Sequence, residues 1–180
     1  MARRAAGILF DEYRINWIVA SPSGRRVPPE RDMRPVGREE HALLAGSPTY
    51  KVRNALSFGA AGLDGFALIV DEKPVCVAHF ANPGQYDRAS TWPLAEREVA
   101  LMDIATEEEG RGKGIAARLI IGAESHYVSR GAGRLIAFIW WSNTPSVRAF
   151  RKAGWRRIGL SIEVRRAGHW FGLRCPLGRG

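Results

Sequence analysis

The chain of 180 residues is long enough for one domain with a buried core, and its 46% apolar and 25% charged residues are ordinary for a globular protein. The lack of an apolar run of membrane length argues against a spanning helix, and the first apolar stretch is too short for a secretory leader. Two distant cysteines, Cys76 and Cys175, exclude a disulfide framework and a cysteine metal site. We therefore expect a single domain over residues 1–180 in a reducing, cytoplasmic compartment.

Hydrophobic periodicity predicts alternating strands and helices. In chain order they are a strand at 13–20, a loop at 21–37, a helical segment within 38–58 that breaks near Gly46-Ser47-Pro48, a hairpin of strands 66–70 and 75–80, a polar loop at 81–95, a strand at 98–106, a helix at 113–129, a strand at 135–141, a helix between Asn143 and Gly154, and a closing hairpin of strands 156–165 and 170–175. The strand-helix-strand unit from 98 to 141 should form a parallel crossover. This order predicts an α/β fold with a mixed sheet and helices on both faces.

The net charge of +9 is unevenly distributed along the chain. Residues 1–60 carry +4, residues 61–106 carry −4 and residues 107–180 carry +9. A basic half of this kind fits a solvated surface, a nucleic-acid surface or a site for a phosphate-rich cofactor. The cofactor interpretation agrees with a glycine-rich turn inside the basic half, and we do not expect nucleic acid to be the partner.

That glycine-rich turn joins the strand at 98–106 to the helix at 113–129. Gly110, Gly112 and Gly114 allow backbone conformations that a Cβ would forbid, and free N–H groups at a helix start bind anions. The turn is not a nucleotide triphosphate loop, because no Gly-Lys-Ser/Thr follows. A nicotinamide site is also disfavoured, since no acid for the ribose lies between Glu124 and Glu163.

Two motifs stand at a set spacing in the second half of the chain. The first is Arg111-Gly-Lys-Gly-Ile-Ala116, which follows the pattern R-x-x-G-x-A, and the second is Asn143 followed by Ala149–Trp155. With these motifs the chain resembles, over roughly residues 62–175, the GNAT superfamily of N-acetyltransferases, in which R-x-x-G-x-A is the loop that binds the acyl-CoA pyrophosphate and an Asn is followed by Leu-Tyr-x-Lys-x-Gly-Phe. The resemblance implies a GNAT-like fold of α/β (mixed α+β) type, with a mostly antiparallel sheet that splays between its fourth and fifth strands, 98–106 and 135–141.

The resemblance also implies acetyl-CoA as co-substrate, with no metal. The residues expected to bind it are Ile104, Ala105, Thr106, Arg111, Gly112, Lys113, Gly114, Ile115, Ala116, Asn143 and Ser146. The open strand at 104–106 would pair with the pantetheine arm as an added strand would. Asn143 would bond the same arm, or cap the helix that follows it, and the two roles are compatible.

The implied reaction is direct attack by a primary amine on the thioester, after a base has removed the proton of the amine. Glu98 is the expected base, because the number of residues between it and the loop matches the position of the catalytic Glu in GNAT-type histone acetyltransferases. The alternative is that Glu98 is an ordinary carboxylate at a strand end. Glu96 and Asp103 are the reserve candidates for the base. Phe150 replaces the tyrosine that many members use as acid to the thiolate, so Tyr127, Ser146 or water would serve instead. A non-catalytic module that senses acyl-CoA or contacts nucleic acid is the rival to an enzyme.

The acceptor is less well defined by the sequence. We expect the loop at 81–95 to border its pocket, with Tyr86, Asp87 and Trp92 as walls. The acidic residues of 61–106 hint at a cationic acceptor. Glu107-Glu108-Glu109 is expected to be a solvated turn that points away from phosphate, while His79 and His126 are expected to be structural. Dimerisation is common in the superfamily, and a homodimer stays open.

Overall fold

The computed structural model of the protein describes residues 12–23, 25, 27–86 and 92–177. In this part of the chain eight strands form one sheet in the order β2-β3-β4-β5-β6-β1-β7-β8. They are β1 (Glu12–Ala20), β2 (Met33–Pro35), β3 (Asp64–Val70), β4 (Lys73–Ala81), β5 (Glu98–Thr106), β6 (Arg134–Trp140), β7 (Arg156–Arg166) and β8 (His169–Pro176). Neighbouring strands are antiparallel except β5 and β6, which are parallel as the crossover predicts.

Helices cover both faces of the sheet. They are α1 (Arg38–Ala45), α2 (Tyr50–Ala60), α3 (Ile115–Ser129) and α4 (Thr144–Lys152). Apolar residues of α3 and α4 pack with β3–β6 in the largest buried cluster, whereas α1 and α2 pack against the other face of β3, β4 and β5 in a second cluster. The predicted mixed α/β sheet with helices on both faces is therefore confirmed.

Local chemistry explains where the elements begin and end. The predicted break near Pro48 separates α1 from α2. The helix α3 begins at Ile115, two residues later than predicted, because Gly114 has a φ of +84° and lies outside the helical region. The segment at 21–37 is not wholly a loop, since its residues 33–35 form β2 and pair with β3.

The sheet opens between β5 and β6. Their parallel pairing joins Glu98–Leu101 to Arg134–Ala137 and then ends. Beyond this point β5 continues to Thr106 paired with β4, while β6 continues to Trp140 paired with β1. In the described structure the facing edges of the two strands are thus unpaired at their carboxyl ends, which confirms the predicted splay. Among the described residues, no helix is long and apolar enough to cross a membrane.

Candidate active site

A β-bulge lies where the two strands separate. The register between β4 and β5 passes from Phe80↔Leu101 to His79↔Asp103, so Met102 is the extra residue of β5. A bulge increases the local twist and turns the strand away from its neighbour. The open gap therefore starts at Met102 and widens toward Thr106, at the end of the sheet where the glycine-rich turn begins.

The glycine-rich turn connects the open end of β5 to the start of α3. A short 3-10 helix at Glu108–Gly110 leads into it, and Gly112 and Gly114 have φ values of +77° and +84°. As at any helix start, the first N–H groups of α3 have no intrahelical partners, and the two left-handed glycines bend the chain just before them. The residues predicted for the pyrophosphate, Arg111–Ala116, thus form a helix N-terminus of the kind that binds anions.

A cation from α4 lies over this turn. A Cβ placed on Gly114 would be 2.5 Å from the Nζ of Lys152, so the ammonium group rests directly against the glycine. A positive charge at the positive end of a helix is unfavourable without an anion between them. Lys152 was not predicted from the sequence, although the lysine of the Ala149–Trp155 motif was the available signal.

The acidic residues beside the turn divide into two groups. Glu107 is not solvated as predicted: its carboxylate accepts hydrogen bonds from the hydroxyls of Ser47 and Thr49, just before α2. Glu108 and Glu109 are exposed, and Glu108 pairs with Arg111 at 3.2 Å. The expectation of a wholly solvated turn is thus wrong for Glu107, because two hydroxyls compensate its charge away from the turn.

The predicted residues of α4 lie across the gap from β5. Asn143 is the N-cap, and its side-chain oxygen accepts a hydrogen bond from the N–H of Ser146 at 3.2 Å. Capping occupies that oxygen and leaves the amide NH₂ of Asn143 for other partners. Both residues follow the carboxyl end of β6, so they lie at the same end of the sheet as Ile104–Thr106.

Glu98 lies at the closed end of the gap. Glu98 is 7% exposed, and its carboxylate accepts hydrogen bonds from the Nε of Arg134 at 2.6 Å and from the N–H of Ala95 at 3.0 Å. Arg134 therefore compensates the charge of Glu98 through an ion pair. Glu96, the first reserve, is exposed.

Asp103 lies at the open end, directly after the bulge. Burial raises the pKa of its carboxyl group above the ordinary value, against the opposing effects of the Ile104 N–H and the positive charge of Lys51. Its cross-strand neighbour His79 is fully buried and packs on Phe58 of α2, and neither of its ring nitrogens is hydrogen-bonded to another described residue. The structural role expected for His79 agrees with this packing.

Aromatic residues lie where the gap starts, on the sheet face opposite α3. A third apolar cluster contains Tyr86, Trp92, Phe138 and, from the bulge, Met102. The rings of Tyr86 and Phe138 are stacked, with their centroids 6.1 Å apart. Two of the predicted pocket walls, Tyr86 and Trp92, therefore lie beside the point where β5 and β6 separate. The third, Asp87, lies outside the described residues.

A cavity of about 650 Å³ is located at the other end of the sheet. The start of β5 and the end of α3 line it, including Glu98 and Tyr127. The hydroxyl of Tyr127 donates to Asp64 at 3.1 Å, and burial raises its pKa. Because about 18 Å of helix separates Tyr127 from the glycine-rich turn, Tyr127 is not placed to protonate a thiolate there. Phe150 is buried against Trp155.

Comparison with known proteins agrees with this geometry. The structure is similar to a GNAT-family protein from Novosphingobium aromaticivorans, with 15% identity over 86% of this chain and 65% of that one and a TM-score of 0.60. It is also similar to a GNAT acetyltransferase from Colwellia psychrerythraea, with 14% identity over 91% and 60% of the two chains and a TM-score of 0.62. The chain thus spans less than two thirds of the length of these two proteins.

A third similar structure contains a ligand. It is the aminoglycoside N-acetyltransferase AAC(6')-Iy in complex with CoA, with 19% identity over 68% of this chain and 90% of that one and a TM-score of 0.54. A search of curated proteins finds no match. The model of the acetyltransferase (GNAT) family matches residues 38–155, which include the glycine-rich turn and α4. The chain belongs to the GNAT acetyltransferase family.

Proposed function

We propose that the protein is an N-acetyltransferase that transfers the acetyl group of acetyl-CoA to a primary amine of a small molecule or a protein. The observation that carries this proposal is the gap between β5 and β6, which opens at Met102 and leads to the glycine-rich turn. An unpaired strand edge accepts an amide-bearing arm as it accepts a further strand. A turn rich in free N–H groups accepts the phosphates at the other end of the same arm.

The charges around the turn fit a pyrophosphate. Arg111, Lys113 and Lys152 supply cations, and Lys152 rests on Gly114 where a phosphate oxygen would compensate it. Glu107, the acid nearest to β5, is held by Ser47 and Thr49 instead of facing the turn. Asn143 would donate its free amide hydrogens to the pantetheine arm from the β6 side.

In the reaction the amine nitrogen attacks the thioester carbonyl carbon, the C–S bond breaks and CoA leaves as thiolate, while the amine proton passes to a base. Glu98 is the base proposed from the sequence, and water could connect it to the gap. Two observations favour its reserve, Asp103: the ion pair with Arg134 compensates the charge of Glu98, whereas Asp103 has a raised pKa and lies at the bulge. Ser146 or water remains to protonate the thiolate.

The acceptor would carry a positive charge before it reacts. Asp103 is opposite His79 of β4, which shares a face with Ala81 of the aromatic cluster, so Asp103, Tyr86, Trp92 and Phe138 would form an anionic, apolar-walled entrance. Similar structures include aminoglycoside N-acetyltransferases, one of them bound to paromomycin and acetyl-CoA. We therefore infer a polyamine, an aminoglycoside or a lysine side chain as the class of acceptor to test first.

Two measurements test this proposal. Acetyl-CoA binding to the folded state must raise the midpoint of thermal unfolding, by an amount that grows with ligand concentration. Release of free CoA is then followed with a panel of polyamines, aminoglycosides and lysine peptides. A thermal shift without turnover on any amine would favour a non-catalytic acyl-CoA-sensing module, and no shift at about 1 mM acetyl-CoA would contradict the cofactor site itself.

A further inference from the structure

The connection between α1 and α2 is joined to the residue that follows β5, just before the segment that leads into the glycine-rich turn. This residue is Glu107, whose two carboxylate oxygens accept hydrogen bonds from the hydroxyls of Ser47 and Thr49. The N–H of Glu108 donates to the same Thr49 hydroxyl at 3.3 Å, and the N–H of Glu107 donates to the carbonyl oxygen of Val75 in β4 at 3.0 Å. These hydrogen bonds fix the chain where it leaves the sheet.

Thr49 makes these contacts in place of a helix cap. It is the N-cap residue of α2, where a threonine hydroxyl ordinarily accepts a hydrogen bond from the helix backbone, yet here it bonds no N–H of the described helix. The carboxylate of Glu107 lies at this N-terminus instead, where the positive end of the helix dipole stabilises a negative charge. Ser47 and Thr49 are 4% and 5% exposed, so water competes little for their hydroxyls. Burial, charge and helix dipole therefore all favour the contact.

The segment between Glu107 and α3 is built on the carbonyl oxygen of Glu107. Its 3-10 helix starts with a hydrogen bond from the N–H of Gly110 to this oxygen at 3.0 Å, and the N–H of Arg111 donates to the carbonyl oxygen of Glu108 at 3.2 Å. Gly110 is closely packed, since a Cβ there would be 2.8 Å from the Cδ1 of Ile115. A shift of Glu107 would therefore move Arg111 and the free N–H groups of the turn.

We propose that Glu107 is a positioning residue for acetyl-CoA: through Ser47 and Thr49 it holds the glycine-rich turn in the geometry that binds the pyrophosphate. This inference rests on the proposed function, because it assigns Glu107 a role in binding that cofactor. Charge and position predict opposite effects for the loss of Glu107. A negative charge beside a phosphate site repels the phosphates, so its removal would by charge alone strengthen binding by about two- to threefold. Removal of a residue that holds the site weakens binding instead.

Titration calorimetry of the full chain with acetyl-CoA tests which effect is larger. Glu107→Ala should weaken binding about tenfold, because the carboxylate and its hydrogen bonds to both hydroxyls are lost. Glu107→Gln removes the same charge but keeps an oxygen that accepts one of these hydrogen bonds, so it should recover part of the affinity. Glu109→Ala is the matched control, since Glu109 is exposed in the same segment. Its affinity should be unchanged or higher by about two- to threefold.

The double variant Ser47→Ala/Thr49→Val tests the contact from the side of α2. It keeps the charge of Glu107 but removes both hydroxyls, so acetyl-CoA binding should weaken at least as much as in Glu107→Ala. In a turnover assay KM for acetyl-CoA should rise about tenfold, while kcat stays within about threefold of the wild type. The thermal unfolding midpoint without ligand verifies that each variant is folded at the temperature of the titration.

Two results would overturn the proposal while the wild type binds acetyl-CoA. One is wild-type or stronger affinity for Glu107→Ala, which would leave Glu107 as an acid beside the turn. The other is equal affinity for Glu107→Ala and Glu107→Gln, since the hydrogen bonds would then contribute nothing to binding. A wild type that does not bind acetyl-CoA at about 1 mM would instead contradict the proposed function, and this inference with it.

Discussion

The carboxylate of Glu124, in the middle of α3, accepts two hydrogen bonds from the guanidinium of Arg25, at 2.9 and 2.7 Å. Glu124 is fully buried and also accepts the indole N–H of Trp155, while Arg25 donates to the backbone oxygen of Ala153. A buried charge that loses its partner is strongly destabilising. Arg25→Ala should therefore lower the free energy of unfolding by about 3 kcal/mol, measured by urea denaturation.

The control for this prediction removes the buried charge as well. In the double variant Arg25→Ala/Glu124→Gln the side chain at 124 is neutral and still accepts the indole hydrogen bond, so part of the lost stability should return. A single variant within about 0.5 kcal/mol of the wild type would show that Arg25 does not neutralise Glu124 in solution.

Stability should depend on pH through His79. Burial lowers the pKa of His79 to about 4, whereas an unfolded histidine titrates near about 6.5. As the pH falls, His79 of the unfolded chain therefore takes up its proton before His79 of the folded protein does. The contribution of neutral His79 to the free energy of unfolding is at its full size above about pH 6.5 and is lost as the pH falls toward 4. The loss approaches about 3 kcal/mol.

Urea denaturation between pH 7.5 and 4.5 of His79→Phe measures this effect. The variant should lose less stability on acidification than the wild type does. His41→Phe, on the exposed side of α1, is the control and should follow the wild-type curve. Parallel curves for the wild type and His79→Phe would contradict the assignment.

Gly112 should be needed for both backbone geometry and cofactor binding. It has a φ of +77°, and apart from its chain neighbours no described residue has an atom within 4 Å of the position that a Cβ would take, so Gly112→Ala adds backbone strain alone. We expect Gly112→Ala to lower the free energy of unfolding by about 1 kcal/mol. Gly62→Ala has the same open surroundings and a φ of +80°, far from the turn in sequence, and should cost as much. Only Gly112→Ala should reduce the acetyl-CoA thermal shift; an equal reduction in both variants would contradict the turn as the phosphate site.

Apart from the short strand β2, the order of strands and helices was predictable from the sequence because each element is bounded by a strong local signal. Gly46-Ser47-Pro48 ends α1, Gly114 precedes α3, and Asn143 with Pro145 begins α4. The splay between β5 and β6 was instead predicted from the family resemblance. Nothing in the residues of 98–106 specifies that pairing stops at Leu101, since this depends on a bulge in the register with β4.

The contacts that define the site were not predictable, because they join residues far apart in the chain. Lys152 contacts Gly114 although α3 and β6 separate them in the chain. Arg134 pairs with Glu98 because the parallel register of β5 and β6 places them side by side. Cross-strand arrangement was hidden for the same reason: β1, β7 and β8 each show ordinary alternation, and only their combined register shows that the apolar positions coincide.

Asn143 should have two separable functions. Asn143→Ala removes the cap acceptor for Ser146 and should cost about 1 kcal/mol of stability. Asn143→Ser keeps a capping oxygen but loses the amide NH₂, so its stability should be close to that of the wild type. If the amide binds the pantetheine arm, both variants should lose acetyl-CoA affinity, as titration calorimetry would show. Wild-type affinity for Asn143→Ser would restrict Asn143 to capping.

The pH dependence of turnover should identify the base among the β5 carboxylates. A base must be ionised, so with Asp103 as base kcat rises with pH through a pKa above the ordinary value for aspartate, in keeping with its burial. Asp103→Asn should lower kcat about 100-fold or more and remove this rise, while the acetyl-CoA thermal shift persists. Glu98→Gln should instead cost about 1 kcal/mol of stability through its ion pair with Arg134, with kcat within about tenfold of the wild type. The reverse pattern would be a large loss of kcat in Glu98→Gln and an unchanged pH profile of kcat in Asp103→Asn. It would assign the role of base to Glu98, and the acceptor would then bind on the side of the cavity that Glu98 lines.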